Sequence, residues 1–156
     1  MVEFAFGLYR LSVDVEGNRA YYRDHPLPWV VCDCAGCRNF VLAVKTLPPV
    51  VTGFFAALGL EPEKPGETMY YIGTADHVSG GGWYHLRGEL LSGGPWKEGL
   101  PEEAWVEVAP HFSVAFKREC DLLPDDFPRP CFQMEVDYCL PWLLEEENPY
   151  IDTNSR

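Results

Sequence analysis

The chain has 156 residues, 47% apolar and 14% aromatic, enough to bury one sizeable core and too few for two, so a single domain is expected. Its 24 acidic residues against 12 basic ones give a formal net charge of -12, a surface that repels phosphate backbones and anionic membranes. Nucleic-acid and membrane partners are excluded on that ground, while cations, proteins with basic segments and neutral small molecules stay open as partners.

No basic leader precedes the first apolar run, which Glu3 and Arg10 interrupt, and the longest apolar-rich stretch, 40–60, is broken by Lys45, Pro48, Pro49 and Gly53. The expectation is a cytoplasmic chain with no signal peptide and no spanning helix. In a reducing compartment its six cysteines are thiols or metal ligands rather than a disulfide framework.

Residues 2–15 alternate with a shift of register. Phe4, Phe6 and Leu8 share one side, while Tyr9, Leu11, Val13 and Val15 share another, which a β-bulge near Gly7 and Leu8 reconciles. Glu16-Gly17-Asn18 reads as a turn and Ala20-Tyr21-Tyr22 as a returning strand, so an opening hairpin is predicted. His25-Pro26-Leu27-Pro28 imposes an extended connection, and Trp29-Val30-Val31 reads as a short strand. Cys37, Phe40, Val41, Val44 and Leu47 then recur at helical spacing, with Asp33 placed to cap the first amides and Pro48 to stop the helix. A second helix opens at Pro49, aligns Val51, Phe54, Phe55 and Leu58, and ends at Gly59, completing a helical hairpin before a loop over 61–66.

From there the pattern is β. Thr68, Tyr70, Ile72 and Thr74 alternate with Met69 and Tyr71; Ser79-Gly80-Gly81-Gly82 reads as a flexible loop; Tyr84, Leu86 and Leu90 alternate with Trp83, His85, Arg87 and Glu89. Ser92-Gly-Gly-Pro95 breaks the chain, and 104–109 and 112–118 read as extended segments interrupted by Pro110. Phe132, Met134, Val136, Tyr138 and Leu140 form one face of a last strand, opposed by a wet face of Gln133, Glu135 and Asp137. The order predicts an α+β fold with a mainly antiparallel sheet, a sandwich or open barrel, and an inserted helical hairpin at about 34–59. The domain spans 1–144, and 145–156 reads as a frayed acidic and polar tail.

Reactive chemistry concentrates in Cys32-Asp-Cys34-Ala-Gly-Cys37. In an extended lead-in Cys32 and Cys34 point to the same side, and a turn at Ala35-Gly36 folds Cys37 back so that the three sulfurs converge. Three thiolates are a soft donor set suited to zinc, which prefers four tetrahedral ligands. The candidates for the fourth are His25, His77, His85, Cys120, Cys131 and Cys139; His111 has no special claim. Cys131 and Cys139 share a strand face about 27 Å apart, eight residues at about 3.4 Å each, so the two cannot serve one site. Two other readings stand beside the metal. Cys34 and Cys37 at a helix start form a dithiol that the helix dipole favours as thiolate, and the cysteines also suit small buried apolar positions.

Cys-Asp-Cys-Ala-Gly-Cys-Arg38 resembles the Cys-x-Cys-x-x-Cys-Arg/Lys segment of the glutathione-dependent formaldehyde-activating family, a resemblance that implies zinc on these cysteines. It covers about seven residues, and that family's other cysteine pairs, including its Gly-x-Cys-x-Cys-Gly segment, have no counterpart here. A longer stretch, Cys32 through Asn39-Phe40 and again Pro141-Trp142, is similar to small uncharacterised bacterial proteins carrying Cys-x-Cys-x-x-Cys-Arg/Lys-Asn-Phe/Tyr, which implies no activity.

Other groupings point elsewhere. His85, Arg87 and Glu89 on one strand face could do acid and base work, but alternating polar residues on a solvated face are the stronger reading. Trp83, Tyr84, Trp96 and Trp105 read either as core or as a stacking platform for a sugar or other flat ligand. Asp121, Asp125, Asp126 and Glu135 lack the spacing of a calcium loop and read as solvated charges. The functional expectation is a small protein with a structural zinc or an interaction role, with two alternatives: a zinc- or thiol-dependent enzyme built on the cysteines, or a small-ligand or carbohydrate-binding module on the aromatic β face.

Overall fold

A computed structural model describes residues 1–96 and 99–152. The expectation for the polar chain end, 145–156, lies partly outside the described residues, at 153–156.

The first strands are β1 (Val2–Phe6) and β2 (Tyr9–Val13), paired antiparallel with Phe6 opposite Tyr9. The register shift expected as a bulge is therefore a tight turn at Gly7-Leu8, with Gly7 at φ 57. The returning strand expected at Ala20-Tyr22 is instead part of helix α1 (Val15–Arg23). Asp14 accepts the Gly17 N–H at 2.9 Å and starts that helix, and one turn apart Asn18 and Tyr22 point into the protein. Asn18 is fully buried: its amide donates to the Leu58 carbonyl at 2.9 Å and its oxygen accepts from the Arg87 N–H at 2.8 Å. The two tyrosines favour extended chain locally, and these buried bonds outweigh them.

Trp29-Val30-Val31, expected as a strand, closes one helical turn, α2 (Pro28–Val31), with Pro28 at its start and the Cys32 N–H bonded to the Pro28 carbonyl at 2.8 Å. Helices α3 (Ala35–Ala43) and α4 (Pro49–Leu58) form where periodicity places them, joined by a 3-10 turn at Val44–Thr46, and Gly59 caps α4 at φ 79. The chain turns through 101° between them, and their apolar faces enter the core through Phe40, Val44, Val51, Phe55 and Leu58. No single helix among the described residues is long and apolar enough to cross a membrane.

The remaining strands are β3 (Glu67–Gly73), β4 (His77–Ser92), β5 (Val106–Ala109), β6 (Phe112–Lys117) and β7 (Cys131–Pro141). All seven join one open sheet ordered β1-β2-β4-β7-β6-β5, with β3 also on β4, and every pairing is antiparallel. The fold is α+β. β5 and β6 are two strands that pair across a turn at Pro110-His111.

The glycine run expected as a loop lies inside β4, the 16-residue strand to which β2, β3 and β7 all bond. A Cβ at Gly80 would stand 2.2 Å from the Met69 carbonyl oxygen of β3, so the missing side chain is what lets the two strands close. Along β7 the apolar face is buried as predicted, but its opposite face is not uniformly wet, since Gln133 is fully buried.

Residues 142–152, of which 145–152 belong to the segment expected to fray, fold back onto the turn between β3 and β4. The Trp142 N–H donates to the Asp76 carbonyl at 2.8 Å, and buried Asn148 donates to the carbonyls of Thr74 and His77 at 2.9 and 3.1 Å. The Gly73 N–H donates to the Tyr150 carbonyl at 2.9 Å, and a single parallel bridge joins Gly73 to Ile151.

Gly80→Ala is expected to destabilise the fold by about 2 kcal/mol or more, because backbone rather than a flexible side chain must yield. Gly53→Ala, exposed in α4 with nothing near the added carbon, is expected to stabilise by about 0.5–1 kcal/mol. Urea unfolding of both variants checks the opposite signs.

Candidate metal centre

Cys32 leaves α2 in extended conformation, Cys34 is the N-terminal cap of α3, and Cys37 lies buried in its first turn. The Cys37 N–H donates to the Cys34 sulfur at 3.4 Å, so a thiol takes the capping role expected of Asp33. Asp33 faces solvent and pairs with Arg38 at 3.6 Å; Arg38 also pairs with Glu146 at 2.5 Å. Cys32 and Cys34 sulfurs are 3.4 Å apart, and all three sulfurs lie within 4.8 Å of one another. A tetrahedral zinc with sulfurs at about 2.3 Å sets neighbouring sulfurs about 3.8 Å apart, so the cluster fits that ion with small side-chain adjustments.

Two tyrosines enclose the cluster. Tyr70 on β3 and Tyr150 in the returning C-terminal segment pack ring to ring with centroids 5.1 Å apart. A Cβ at Gly36 would stand 2.3 Å from the Tyr70 ring and 2.7 Å from the Tyr150 hydroxyl, so glycine there is needed for both rings to reach the helix start. The Tyr70 hydroxyl is buried without a hydrogen-bond partner, a costly state in a folded protein. It favours negative charge on Cys37, and Tyr150 does the same for Cys34. Held as a metal-bound thiolate, Cys37 would give the Tyr70 O–H the acceptor it lacks. This orphaned hydroxyl and the soft donor set both fit a bound metal.

The sulfurs are electrostatically unlike. Burial raises the Cys34 thiol, but the Cys37 N–H, the neighbouring thiols and the Tyr150 hydroxyl outweigh it, so Cys34 sits below its ordinary value. Burial pushes Cys37 up to about 12, with Tyr70 opposing and the other two sulfurs adding. A thiolate-prone cap beside a protonated, buried partner is also the polarity of a reactive dithiol.

No fourth histidine, cysteine or carboxylate among the described residues joins the cluster. His25 stacks on Tyr21 at 3.7 Å and bonds through Nδ1 to the Tyr21 carbonyl at 2.6 Å, with Asp126 3.4 Å from its Nε2. His77 begins β4 opposite Pro141, and Cys139 lies on β7 opposite Ser79. Cys120 and Cys131 pair with each other, sulfurs 3.9 Å apart, and burial followed by the Cys131 sulfur pushes Cys120 up to about 12.

His85 is also held elsewhere. Its Nε2 lies 3.0 Å from the Asp121 carbonyl and 3.1 Å from Gln133 Oε1, and that same Oε1 accepts the Asp121 N–H at 2.7 Å. Two acceptors at Nε2 place the proton there, leaving Nδ1 with its lone pair. That edge of the ring faces the backbone of Gly66. His85 and Gly66 share the wall of a cavity of about 540 Å3 with Cys32, Cys34, Cys37 and Tyr70. Its size suits a small organic ligand. The cysteines, His25, His85 and Lys64 thus meet around one space, although only the cysteines meet as a ligand set.

The other groupings separate. His85 is buried, Arg87 pairs with Asp14 at 3.2 Å, and Glu89 is exposed, so they form no catalytic group. Asp121 is not merely solvated: Lys117 and Gln133 bond to it, Lys117 holds it below the usual carboxylate range, and Gln133 also donates to Glu135, which burial raises. Tyr84 is fully buried, its hydroxyl on the Pro62 carbonyl, and Trp83 lies on the opposite side of β4. Trp96 and Trp105 line a separate hollow with Lys117 and Glu135. The four aromatics therefore share no platform.

Spacing alone identified the three cysteines. It missed Tyr70 and Tyr150, for which the only signal is an aromatic residue, Tyr150, in an otherwise polar and acidic chain end. Compared with protein-family profiles, curated proteins and solved structures, the chain gives no match.

Burial holds His85 below its ordinary value near 6.5, so the fold favours its neutral form. As pH falls through about 6.5 the unfolded chain takes up this proton first; stability is full above that pH and is lost below it, toward the folded value. The loss in urea midpoint between about pH 7.5 and about pH 5.5 is therefore expected to be smaller in His85→Gln than in the parent chain. An equal loss in both means His85 does not carry that dependence.

Proposed function

We propose that this is a small zinc-binding protein in which Cys32, Cys34 and Cys37 hold one ion that fastens the segment after α2 to the start of α3. The observation that carries this reading is the convergence of three sulfurs within 4.8 Å beside a buried tyrosine hydroxyl that lacks an acceptor. Zinc suits the donors because thiolates are soft and the d10 ion imposes no geometry of its own. Cys37 would hold the ion as a thiolate in place of the proton that burial keeps on it, and the ion would join the three sulfurs in one crosslink.

A second reading concerns the fourth coordination position. A closed structural site takes four protein ligands, whereas three ligands leave a position for water or a ligand. The cavity that the cysteines share with His85 supports a role in binding or transforming a small molecule there. In that case His85 Nδ1 acts as a fixed hydrogen-bond acceptor, while the tyrosines and Gly36 hold the sulfurs in place.

Elemental analysis of protein purified without added metal is expected to give one zinc per chain, and Cys34→Ser to lose it. Tyr70→Phe keeps every ligand and is expected to weaken zinc binding by about tenfold. Protein that carries no stoichiometric metal, binds none on titration and has all three thiols reacting freely refutes the proposal. Unchanged affinity in Tyr70→Phe removes the tyrosine from it.

A further inference from the structure

We infer that Cys120 and Cys131 are a redox-modification site: a hydroperoxide oxidises them to a disulfide that clasps both ends of the loop walling the cavity. Their sulfurs are 3.9 Å apart, with the Cys120 thiol donating to the Cys131 sulfur. A disulfide needs about 2.05 Å. Cys131 is fixed as the first residue of β7, but Cys120 sits in irregular chain after β6, where backbone and χ1 can close the gap. Both residues are part-exposed, so a small oxidant reaches them.

The chemistry balances within the pair. The Cys131 sulfur, which accepts the Cys120 S–H, attacks one oxygen of hydrogen peroxide. An S–O bond forms, the O–O bond breaks, and the departing hydroxide leaves as water with the Cys131 proton. The Cys120 sulfur then attacks the sulfenic sulfur; the S–S bond forms, the S–O bond breaks, and the second hydroxide leaves as water with the Cys120 proton. Two thiols are oxidised and one peroxide is reduced to two waters.

The enclosed loop is a working part of the cavity wall. Its Asp121 carbonyl fixes the His85 tautomer, its Pro124 lines the cavity, and its Phe127 is buried against Tyr21 with ring centroids 4.5 Å apart. Asp126 reaches His25 at 3.4 Å and the Tyr21 hydroxyl at 3.3 Å. A bond across the loop ends restricts how far these groups can leave the wall in partly open states. This site is separate from the metal cluster and does not rest on zinc binding.

The test uses the full chain, reduced and then freed of reductant, treated with hydrogen peroxide, alkylated and mapped by peptide mass spectrometry. A Cys120–Cys131 crosslink that dithiothreitol reverses is expected, together with a rise in Tm of roughly 5–10 °C that Cys131→Ser does not show. Crosslinks confined to Cys32, Cys34 and Cys37, or sulfinic acid at Cys131 with Cys120 still open to alkylation, overturn the site. A Cys120–Cys131 crosslink that leaves Tm unchanged or lower overturns the clasp.

Discussion

The close approach of β3 to β4 is the constraint on which the rest of the site depends. With no side chain at Gly80, the β3 backbone comes to hydrogen-bonding distance along the first half of the longest strand. That pairing sets Tyr70 facing the start of α3, and the chain end adds Tyr150 through the bonds of Gly73 with Tyr150 and Ile151. Gly36 then lets α3 seat against both rings. The cysteines converge because their own turn permits it, and they stay converged because a sheet edge, a helix start and the returning chain close around them.

Within that enclosure the same elements set the chemistry. The amide of Cys37 and the two tyrosine hydroxyls favour charge on sulfur, while burial opposes it most strongly at Cys37. Such a site disfavours free thiolate anions, and a cation bound there would cancel the charge that burial penalises. The acidic surface, with 24 carboxylate residues against 12 basic ones, draws cations toward the chain in general, and soft sulfur donors would discriminate among them. The cavity beside the cluster gives any open coordination position a defined neighbourhood, with His85 fixed in one tautomer by Asp121 and Gln133.

Long periodic segments were legible in the sequence. α3, α4 and β7 each carry enough residues at period 3.6 or 2 to show which face enters the core, and Pro48 and Gly59 mark where helices stop. Short segments were not. Trp29-Val30-Val31 has strand composition but no neighbouring strand to pair with among the described residues, and 15–23 is helical because Asn18 and Tyr22 find buried partners at Leu58, Arg87 and His85. Ser79-Gly80-Gly81-Gly82 looks flexible until the strands on both sides of it are known. The cysteine trio could be read from local spacing, whereas Tyr150 meets Tyr70 across 80 positions of chain through an isolated bridge that no periodicity announces.

X-ray absorption at the zinc edge of the purified protein, in buffer free of added thiols, tests the central claim most directly. Three sulfur neighbours at about 2.3 Å with one lighter oxygen or nitrogen neighbour is the predicted shell. A shell of four sulfurs, or one of oxygen and nitrogen alone, contradicts it.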